Sequence, residues 1–419
     1  MDWILYNARL RDNSPLVDIG IAGGKIVVLE PNGSENGLSD ANQSWDLQGR
    51  VLLPGLVDAH THLDKTYTTL ENKSGTLREA IEVWRRIKPT RTHEHIQATA
   101  RKALQMALLN GVTAMRSHID IGVSGQLVAF SALLALREEM RDVMDLQLVA
   151  LGSSGGSAEN KALMKQALMM GVDLIGGAPA LCANPHEEID AAFALAERFG
   201  KPIDLHIDET EDPNMLTLEY LAEQTIKHGM QGQVTAGHCC SLAFVDADTA
   251  ARVMDKVAEA QLNIVTLPSC NLVLMGRHMQ PVPRGTTRVK ELLARGVNVC
   301  AASDNVHDPF NPFGSYDLLQ IANLNAHTAH MSGEAPLYTS LQMVTTHSAN
   351  TLGLANYGLA VGMKADLVVI DAQRVLEAVV SPPLRLATFK AGRLVVRSKV
   401  ERVWYNTGNL GQDHTRFLV

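Results

Sequence analysis

Residues 53–64 read LPGLVDAHTHLD, an apolar run that ends in two histidines with one residue between them. The side chains of residues i and i+2 in a β-strand lie on the same face, so His60 and His62 can direct two imidazoles at one point. Imidazole is the commonest metal ligand in proteins. A single His-x-His pair also arises by chance, so the prediction of a metal site depends on whether later strands supply further ligands.

Eight short apolar runs, of which this is the first, alternate with longer segments of helical periodicity. Glycines such as Gly111 and Gly200 stand at or just before several of the runs, where they suit the left-handed ends of helices. Eight strands with intervening helices predict a (β/α)8 TIM barrel over residues 55–354. Polar residues at many strand ends favour this barrel over an open, doubly wound sheet. The predicted strands are 55–63, 111–118, 146–151, 172–177, 202–207, 234–238, 263–267 and 298–303.

The two ends of the chain differ from this alternating pattern. The N-terminal end contains strand-like pieces separated by the turn-rich segment 31–37, and strand-like pieces return after residue 360. Neither end has enough strands to bury an apolar face alone. We therefore expect residues 1–54 and 355–419 to pair into one small β-sandwich beside the barrel.

The composition is that of an ordinary globular protein. The 419 residues are 46% hydrophobic, which suffices for a large core, and the net charge of -8 argues against nucleic acid or an anionic membrane as the main partner. No apolar run reaches the roughly 18 residues of a transmembrane helix, and the first residues lack the basic start of a signal peptide. The five cysteines form neither a disulfide framework nor a metal-binding motif. We expect a cytoplasmic protein, and a barrel with a flanking sandwich is often a homo-oligomer.

Histidines recur at the positions where barrel enzymes carry their catalytic groups, the C-terminal ends of the strands. One imidazole at such a position is usually a packed or surface residue. Four predicted strands end in histidine here, and a carboxylate follows the last strand, which packing does not explain. The pattern predicts a metal site. The polar residues at these ends are His60 and His62, His118 and Asp120, His206 with Asp208 and Glu209, His238, and Asp304 with Asn305.

This constellation resembles the amidohydrolase superfamily, and within it the cytosine deaminase branch of single-metal enzymes. The resemblance runs from residue 53 to residue 371 and implies one divalent ion, zinc or iron, with manganese as a further option. The fourth predicted strand ends near residues 176–179 without the lysine that bridges two ions in binuclear members, which favours a single ion. The ligands that the resemblance implies are His60, His62, His206 and Asp304.

The same resemblance implies the roles of the remaining polar residues. Glu209 matches the glutamate that shuttles protons in the family, and His238 matches the sixth-strand histidine that stabilises an oxyanion or polarises the ring. Asp304 would accept a proton from the attacking water, whose pKa the metal lowers toward about 7. Strand alternation by itself points to Asp208, which is in phase with His206, rather than to Glu209.

These roles predict a hydrolytic deaminase of a nitrogen heterocycle, such as a cytosine-like pyrimidine. Phe310 would stack on the ring, while Ser153 and Asn305 stand where cytosine deaminases carry a glutamine and a second aspartate. These two replacements leave other rings open, among them modified pyrimidines, pterins, creatinine-like rings and triazines. For an N-alkylamino-triazine of the ammelide type, the leaving group would be an alkylamine.

Two other classes of function compete with this interpretation. Residues 152–156 read GSSGG and match the Gly-x-Ser-x-Gly turn of serine hydrolases, with Ser154 as the nucleophile, but that mechanism leaves the strand-end histidines without a role. A non-enzymatic scaffold on the same fold would tend to lose the metal ligands, which are present here. The unrelated zinc-deaminase fold is excluded because its Pro-Cys-x-x-Cys half is missing.

Overall fold

The computed structural model describes residues 1–33, 38, 40–68 and 70–401. The strands in these residues form one sheet of eight strands and two sheets of four. The strands are β1 (Trp3–Ala8), β2 (Val17–Ala22), β3 (Lys25–Pro31), β4 (Gln43–Asp46), β5 (Val51–Pro54), β6 (Leu56–Thr61), β7 (Val112–Asp120), β8 (Asp145–Leu151), β9 (Leu174–Gly177), β10 (Ile203–Ile207), β11 (Val234–His238), β12 (Asn263–Thr266), β13 (Asn298–Ala301), β14 (Leu367–Ile370), β15 (Arg385–Lys390) and β16 (Arg393–Arg397).

The eight-stranded sheet is the barrel that the sequence predicts, with parallel strands in chain order from β6 to β13. The sheet closes where its two ends meet. The backbone N–H of Asp304 donates to the carbonyl oxygen of His60 at 2.9 Å, and Thr61 Oγ1 donates to the Asp304 carbonyl oxygen at 2.8 Å. The predicted TIM barrel is confirmed, and each of its strands overlaps the apolar run that predicted it. The closing seam joins the strands that carry the first and last candidate ligands.

Helices cover the barrel, and several begin at residues that cap them. The helices are α1 (Leu77–Ile87), α2 (His93–Leu109), α3 (Val128–Met140), α4 (Ala158–Met169), α5 (Pro185–Phe199), α6 (Leu218–Lys227), α7 (Ala247–Glu259), α8 (Pro268–Leu274), α9 (Val289–Ala294), α10 (Leu318–Thr328), α11 (Glu334–Gln342), α12 (Thr346–Leu352) and α13 (Glu377–Val380). Thr92, Ser157 and Asn184 each accept a hydrogen bond from a backbone N–H in the first turn of the helix that follows. Gly200 ends α5 in the left-handed conformation that its position predicts.

Helix α1 departs from the regular alternation of strand and helix. It lies in the connection between β6 and α2, and its buried face includes Val83 and Trp84. The indole N–H of Trp84 donates to Asp120, the last residue of β7. The helix is thereby tied to the C-terminal end of the barrel, where it lines the same cavity as the strand ends.

The two ends of the chain form one β-sandwich, as predicted. One sheet has the order β3-β2-β1-β4, and the other has the order β16-β15-β14-β5, in which β5 comes from the N-terminal part of the chain. Strand β5 pairs antiparallel with β14, so that Leu52 lies opposite Val369. Trp3 and Phe389 meet in the shared core, with ring centroids 5.3 Å apart. The sandwich therefore ties both ends of the chain to the start of the barrel.

The strands of the sandwich lie inside the predicted ranges 1–54 and 355–419. The exact limits of the two domains stay a prediction, and residues 402–419 lie outside the described part of the chain. Among the described residues, no helix combines the length and the apolar character needed to cross a membrane.

Candidate active site and metal centre

Four polar side chains converge at the C-terminal end of the barrel. His60 and His62 belong to β6 and the residue after it, His206 to β10, and Asp304 follows β13. Asp304 Oδ1 lies 3.4 Å from His62 Nε2 and 3.7 Å from His60 Nε2, and the Nε2 atoms of His62 and His206 are 3.2 Å apart. All four residues are buried. The structure thus brings together the four residues for which the sequence predicts metal binding.

The spacing and chemistry of these donors fit one divalent ion. Zinc–nitrogen bonds of about 2.0–2.1 Å place neighbouring ligand atoms of a tetrahedron about 3.3–3.4 Å apart, close to the separations found here. His60 Nε2 and both carboxylate oxygens of Asp304 have no hydrogen-bond partner among the described residues, which is costly for buried polar atoms unless a ligand satisfies them. Burial lowers the pKa of His60, His62 and His206 well below the usual value. Each imidazole is therefore neutral, which is the form that binds a metal.

Two further features bear on the charge and number of ions. Burial raises the pKa of Asp304 to about 7, and a bound cation would favour the carboxylate and lower that pKa again. Strand β9 ends at Gly177 and contains no lysine that could bridge a second ion. Both features agree with a single cation that compensates one buried carboxylate.

The backbone adopts a left-handed conformation at three of the strand ends. Asp208, His238 and Asp304 have φ values of 50°, 67° and 59°, which is uncommon for residues other than glycine. The Asp208 carboxylate turns away from the cavity and accepts hydrogen bonds from the backbone N–H groups of Thr217 and Leu218, at 2.9 and 3.0 Å, where α6 begins. The left-handed residue breaks the strand alternation, and the next side chain, Glu209, lines the cavity instead.

Glu209 has the surroundings of a carboxylic acid that keeps its proton. Its Oε1 atom lies 3.6 Å from Nδ1 of His238. Burial, and after it the neighbouring carboxylate of Asp304, raises the pKa of Glu209 to about 8. The raised pKa allows the side chain to hold a proton near neutral pH and to donate it to a bound molecule.

His238 is held in one tautomer by Asn271. The Nδ2 atom of Asn271 lies 3.0 Å from His238 Nδ1. Because an amide NH₂ group only donates, Nδ1 accepts, and the proton of the neutral ring is on Nε2. Burial lowers the pKa of His238 to about 3, and its Nε2 has no hydrogen-bond partner in the part of the chain that the structure describes. His238 therefore offers an unsatisfied N–H donor beside the predicted metal ligands.

A cavity of about 650 Å³ opens above these groups, a volume within the usual range for small-molecule sites. The three residues predicted to face a substrate, Ser153, Asn305 and Phe310, all line it. Asn305 Nδ2 donates to Asp308 Oδ2 at 2.6 Å, so a buried carboxylate holds the amide in place. The substrate-binding roles of these residues stay predictions.

The Glu188 carboxylate accepts hydrogen bonds from the loop that contains Ser153 and Ser154. Ser153 Oγ donates to Glu188 Oε2 at 2.8 Å, and the backbone N–H groups of Ser154 and Gly155 also donate to this carboxylate. The Ser154 hydroxyl is buried and has no hydrogen-bond partner among the described residues. No histidine activates it there, so the geometry lacks the base that a serine nucleophile requires.

Lys65, Asp120 and Trp84 also line the cavity, although the sequence-based prediction gives them no role. Lys65 Nζ lies 3.4 Å from Asp120 Oδ2, 3.4 Å from His62 Nδ1 and 5.2 Å from the centre of the Phe310 ring. Trp84 of α1 also bonds Asp120 and forms part of the wall. The position of Lys65, directly after the His-x-His strand, and of Asp120 at the end of β7 could have indicated them. The sequence carries no comparable signal for Trp84.

His118 lies beside the predicted ligands without belonging to that set. Its ring centroid is 4.0 Å from that of His60 and 4.7 Å from that of His206. Its Nε2 atom lies 3.6 Å from Asp204 Oδ1, and the Asp204 carboxylate accepts a hydrogen bond from Arg116 at 2.7 Å. The ligand cluster is therefore backed by a buried imidazole and an ion pair.

Comparison with known proteins identifies the family to which this chain belongs. The model of the amidohydrolase family matches residues 43–155 and 75–396 of this chain, in two overlapping matches. These residues include the whole barrel and every strand end described above.

Three relatives illustrate the similarity. The crystal structure of 5-methylcytosine deaminase from Klebsiella pneumoniae, liganded with 5-fluorocytosine, has a TM-score of 0.90 and 34% sequence identity, covering 96% of this chain and 99% of that chain. The pterin deaminase of Rhizobium rhizogenes is 33% identical over 91% of this chain and 88% of its own length. The N-isopropylammelide isopropyl amidohydrolase of Pseudomonas sp. (strain ADP) is 31% identical over 95% of this chain and 98% of its own length.

Proposed function

Because the chain belongs to the amidohydrolase family, we propose that it is a metal-dependent hydrolase that removes an exocyclic amino group from a nitrogen heterocycle. One observation carries the proposal. His60 Nε2 and both carboxylate oxygens of Asp304 have no hydrogen-bond partner among the described residues, and they lie with His62 and His206 at a cavity that Glu209 and His238 also line. Water activation, proton donation and oxyanion stabilisation are the three functions that hydrolysis of a carbon–nitrogen bond requires.

His60, His62, His206 and Asp304 would hold the metal. A divalent ion bound there supplies water activation, because it lowers the pKa of a bound water from 15.7 toward about 7. The Asp304 carboxylate would accept a proton from the water molecule whose oxygen attacks the sp² carbon. Glu209 would protonate the ring nitrogen next to that carbon, take up the proton that remains on the attacking oxygen, and pass it to the departing nitrogen, so that the C–N bond breaks and ammonia or an amine leaves. The proton held by Asp304 would then return to Glu209. His238 donates its Nε2–H to the oxygen on which negative charge develops.

The substrate we propose is an aminated ring of the pyrimidine or pterin type. Phe310, at the wall of the cavity, offers a face for stacking. Asn305 and Ser153 supply polar atoms at the rim of the ring, where their hydrogen bonds to Asp308 and Glu188 fix their orientation. The relatives named above support this class because two of them are deaminases of such rings.

A second candidate substrate is an N-alkylamino-triazine, from which the same residues would release an alkylamine. Hydrocarbon side chains on one side of the cavity favour this candidate, since they can receive an alkyl group: Leu77, Ile81, Val123 and Leu181. The relative that acts on N-isopropylammelide adds support.

We further propose zinc or iron as the native ion, with manganese as an alternative, since three imidazoles and one carboxylate suit each of them. The five cysteines are free, which agrees with a reducing, cytoplasmic location. The net charge of -8 supports a small-molecule substrate rather than nucleic acid or an anionic membrane, and a homo-oligomer remains part of the proposal.

The proposal is tested with protein reconstituted separately with zinc, iron and manganese. Each form is incubated with cytosine, 5-methylcytosine, pterin, an aminopurine and N-isopropylammelide, and the release of ammonia or isopropylamine is measured. We expect turnover of at least one compound, its loss after chelation, and its return when metal is added back. Activity that survives complete removal of metal would support the Ser154 mechanism instead, and inactivity of all metal forms toward the panel would contradict the proposal.

A further inference from the structure

The cavity continues well beyond the metal ligands. Its outer half is formed by one face of α1, which contributes Leu77, Ile81, Trp84 and Arg85, and by Lys88 just after the helix. The ligands and Phe310 are at the inner end of the same cavity of about 650 Å³. A single six-membered ring stacked on Phe310 fills only part of this volume. The outer half therefore has room for a substituent on the ring.

The cations of this cavity differ in how far carboxylates compensate them. Lys65 lies 3.4 Å from Asp120 Oδ2, and the buried carboxylates of Asp64 and Asp308 also act on its charge. Arg85 and Lys88 line the same cavity. A concave site that presents such cations to a ligand attracts anions.

The two outer cations differ from their neighbours on α1. Arg78 and Arg86 pair with the carboxylates of Glu82 and Glu71 on the outside of the helix. Arg85 and Lys88, in contrast, have no carboxylate within 4.0 Å in the part of the chain described, although Lys88 is close enough to Asp64 and Asp120 to influence their pKa values. The guanidinium group of Arg85 is therefore available to a ligand, whereas Asp64 and Asp120 partly compensate the charge of Lys88, which still offers hydrogen-bond donors.

The loop after β7 is shaped to carry the Lys88 side chain to the edge of the cavity. A Cβ atom on Gly125 would lie 2.5 Å from Lys88 Cε, and a Cβ atom on Gly122 would lie 3.9 Å from Lys88 Nζ. The bare backbone at Gly125 thus lets the lysine stem lie across the loop. Gly122 itself lines the cavity, so the ammonium group is at its rim. The placement of this cation follows from two separate elements of the fold.

From this juxtaposition we infer that the outer half of the cavity is an anion subsite. Resting on the proposed function, the inference is that the heterocycle carries a carboxylate substituent, which Arg85 and Lys88 bind while the ring lies against Phe310 and the metal centre. A guanidinium group suits a carboxylate because it can donate two parallel hydrogen bonds, and an ammonium group adds a second, more flexible donor. The apolar side chains of α1, which line the cavity between the metal centre and these two cations, would contact the hydrocarbon part of the substituent.

The test uses matched substrates that differ in charge alone. The metal-loaded protein is given 5-(2-carboxyethyl)cytosine and its carboxamide, in which two methylene groups separate the ring from the charge, and the equivalent pair built on pterin, and kcat and KM are measured for each. For the ring that is turned over faster, we expect kcat/KM of the carboxylate to exceed that of the carboxamide at least about tenfold. This factor corresponds to the free energy of one charge-assisted hydrogen bond. High salt should reduce this preference, since the subsite opens to solvent.

Variants of Arg85, Lys88 and Gly125 test whether these residues cause the preference for the carboxylate. In the double variant Arg85→Gln, Lys88→Gln, the preference should fall at least about tenfold, through a higher KM for the carboxylate. Gly125→Ala should weaken it in the same direction by displacing Lys88. The matched control, Arg78→Gln with Arg86→Gln, removes the same charge from the outer face of α1 and should leave the preference intact.

The possible results distinguish failure of the anion subsite from failure of the proposed deamination. Equal turnover of carboxylate and carboxamide, or a preference that the double variant retains, overturns the subsite while the proposed function stands. If neither member of any pair is turned over, binding of the carboxylates is measured by calorimetry. Charge-dependent binding that the double variant loses would then support the subsite and contradict the deaminase, whereas absence of binding contradicts both.

Discussion

Buried ionisable side chains have opposite hydrogen-bonding surroundings at the two ends of the barrel. At the end that faces the sandwich, Lys390 is 2% exposed, and its Nζ atom donates to Asp145 and Asp366 at 2.7 Å each and to the Thr113 carbonyl oxygen at 3.0 Å. The other oxygen of Asp366 accepts the backbone N–H of Ala391 at 2.7 Å. At the catalytic end, both oxygens of Asp304 and both ring nitrogens of His60 have no hydrogen-bond partner among the described residues.

This difference distinguishes a structural charge cluster from a binding site. A buried polar atom costs free energy unless it is hydrogen-bonded. At the junction the protein supplies every partner itself, so the charges join the sandwich to the barrel. At the catalytic end the proposed metal and substrate would supply the partners, which makes the unsatisfied atoms the strongest indication of function in the molecule. Changes at the two ends should therefore separate activity from stability.

The largest effect on turnover is expected from His62→Ala. Removal of this imidazole leaves His60, His206 and Asp304 with an incomplete ligand set, so both bound metal and turnover should be lost. Metal content by mass spectrometry and steady-state kinetics check this, with the exposed His95→Ala of α2 as a control that should keep both. Full metal content in His62→Ala would show that the ion is held elsewhere.

Glu209→Gln should give the next largest loss. The amide keeps the shape of the side chain but cannot shuttle a proton, so turnover should fall by about 10²–10⁴-fold while metal content stays unchanged. Glu211→Gln is the matched control, because Glu211 is on the same loop, accepts a hydrogen bond from the backbone N–H of Gly276 and does not line the cavity. Full activity of Glu209→Gln would remove the shuttle from the mechanism.

Substitutions of Asn271 should sharpen the assignment of the His238 tautomer. Asn271→Leu removes the donor to Nδ1, and we expect roughly a tenfold lower kcat because the proton is no longer confined to Nε2. Asn271→Asp is nearly isosteric but accepts a hydrogen bond, so it draws the proton to Nδ1 and should cost about 10²–10³-fold, the value of an oxyanion donor. The decisive measurement is kcat of folded, metal-loaded protein, which should be higher for Asn271→Leu than for Asn271→Asp. A purely structural role for Asn271 would give the reverse order.

The barrel could be predicted from the sequence because each of its strands is a short apolar run, and several of these runs follow a glycine that ends a helix. The run 234–238 coincides with β11, and the glycine of α5 ends that helix where predicted. The histidines at the strand ends are predictable for the same reason, since alternation and fold together place them on one edge. Local periodicity is sufficient wherever the chain keeps a regular conformation.

Residues whose direction depends on irregular backbone or on distant contacts could not be derived in this way. Alternation points to Asp208, and only the left-handed φ of that residue turns Glu209 into the cavity. The engagement of Ser153 by Glu188 joins two segments that no local pattern connects. Helix α1 has an ordinary amphipathic sequence, and nothing in it indicates that it lines the cavity rather than the outside of the barrel.

The smallest effect on turnover is expected at the opposite end of the barrel. Lys390→Met removes one of the two cations shared by Asp145 and Asp366 and leaves only the more exposed Lys364 beside them, so the free energy of unfolding should fall by about 2 kcal/mol. Urea unfolding of the metal-loaded protein measures this, and Lys161→Met, at an exposed position of α4, should change it little. Metal content and kcat per folded molecule should match the unsubstituted protein, because the cluster makes no contact with the ligands. A parallel loss of metal would show that the two ends of the barrel are coupled, and that charges satisfied by the protein itself also support the site.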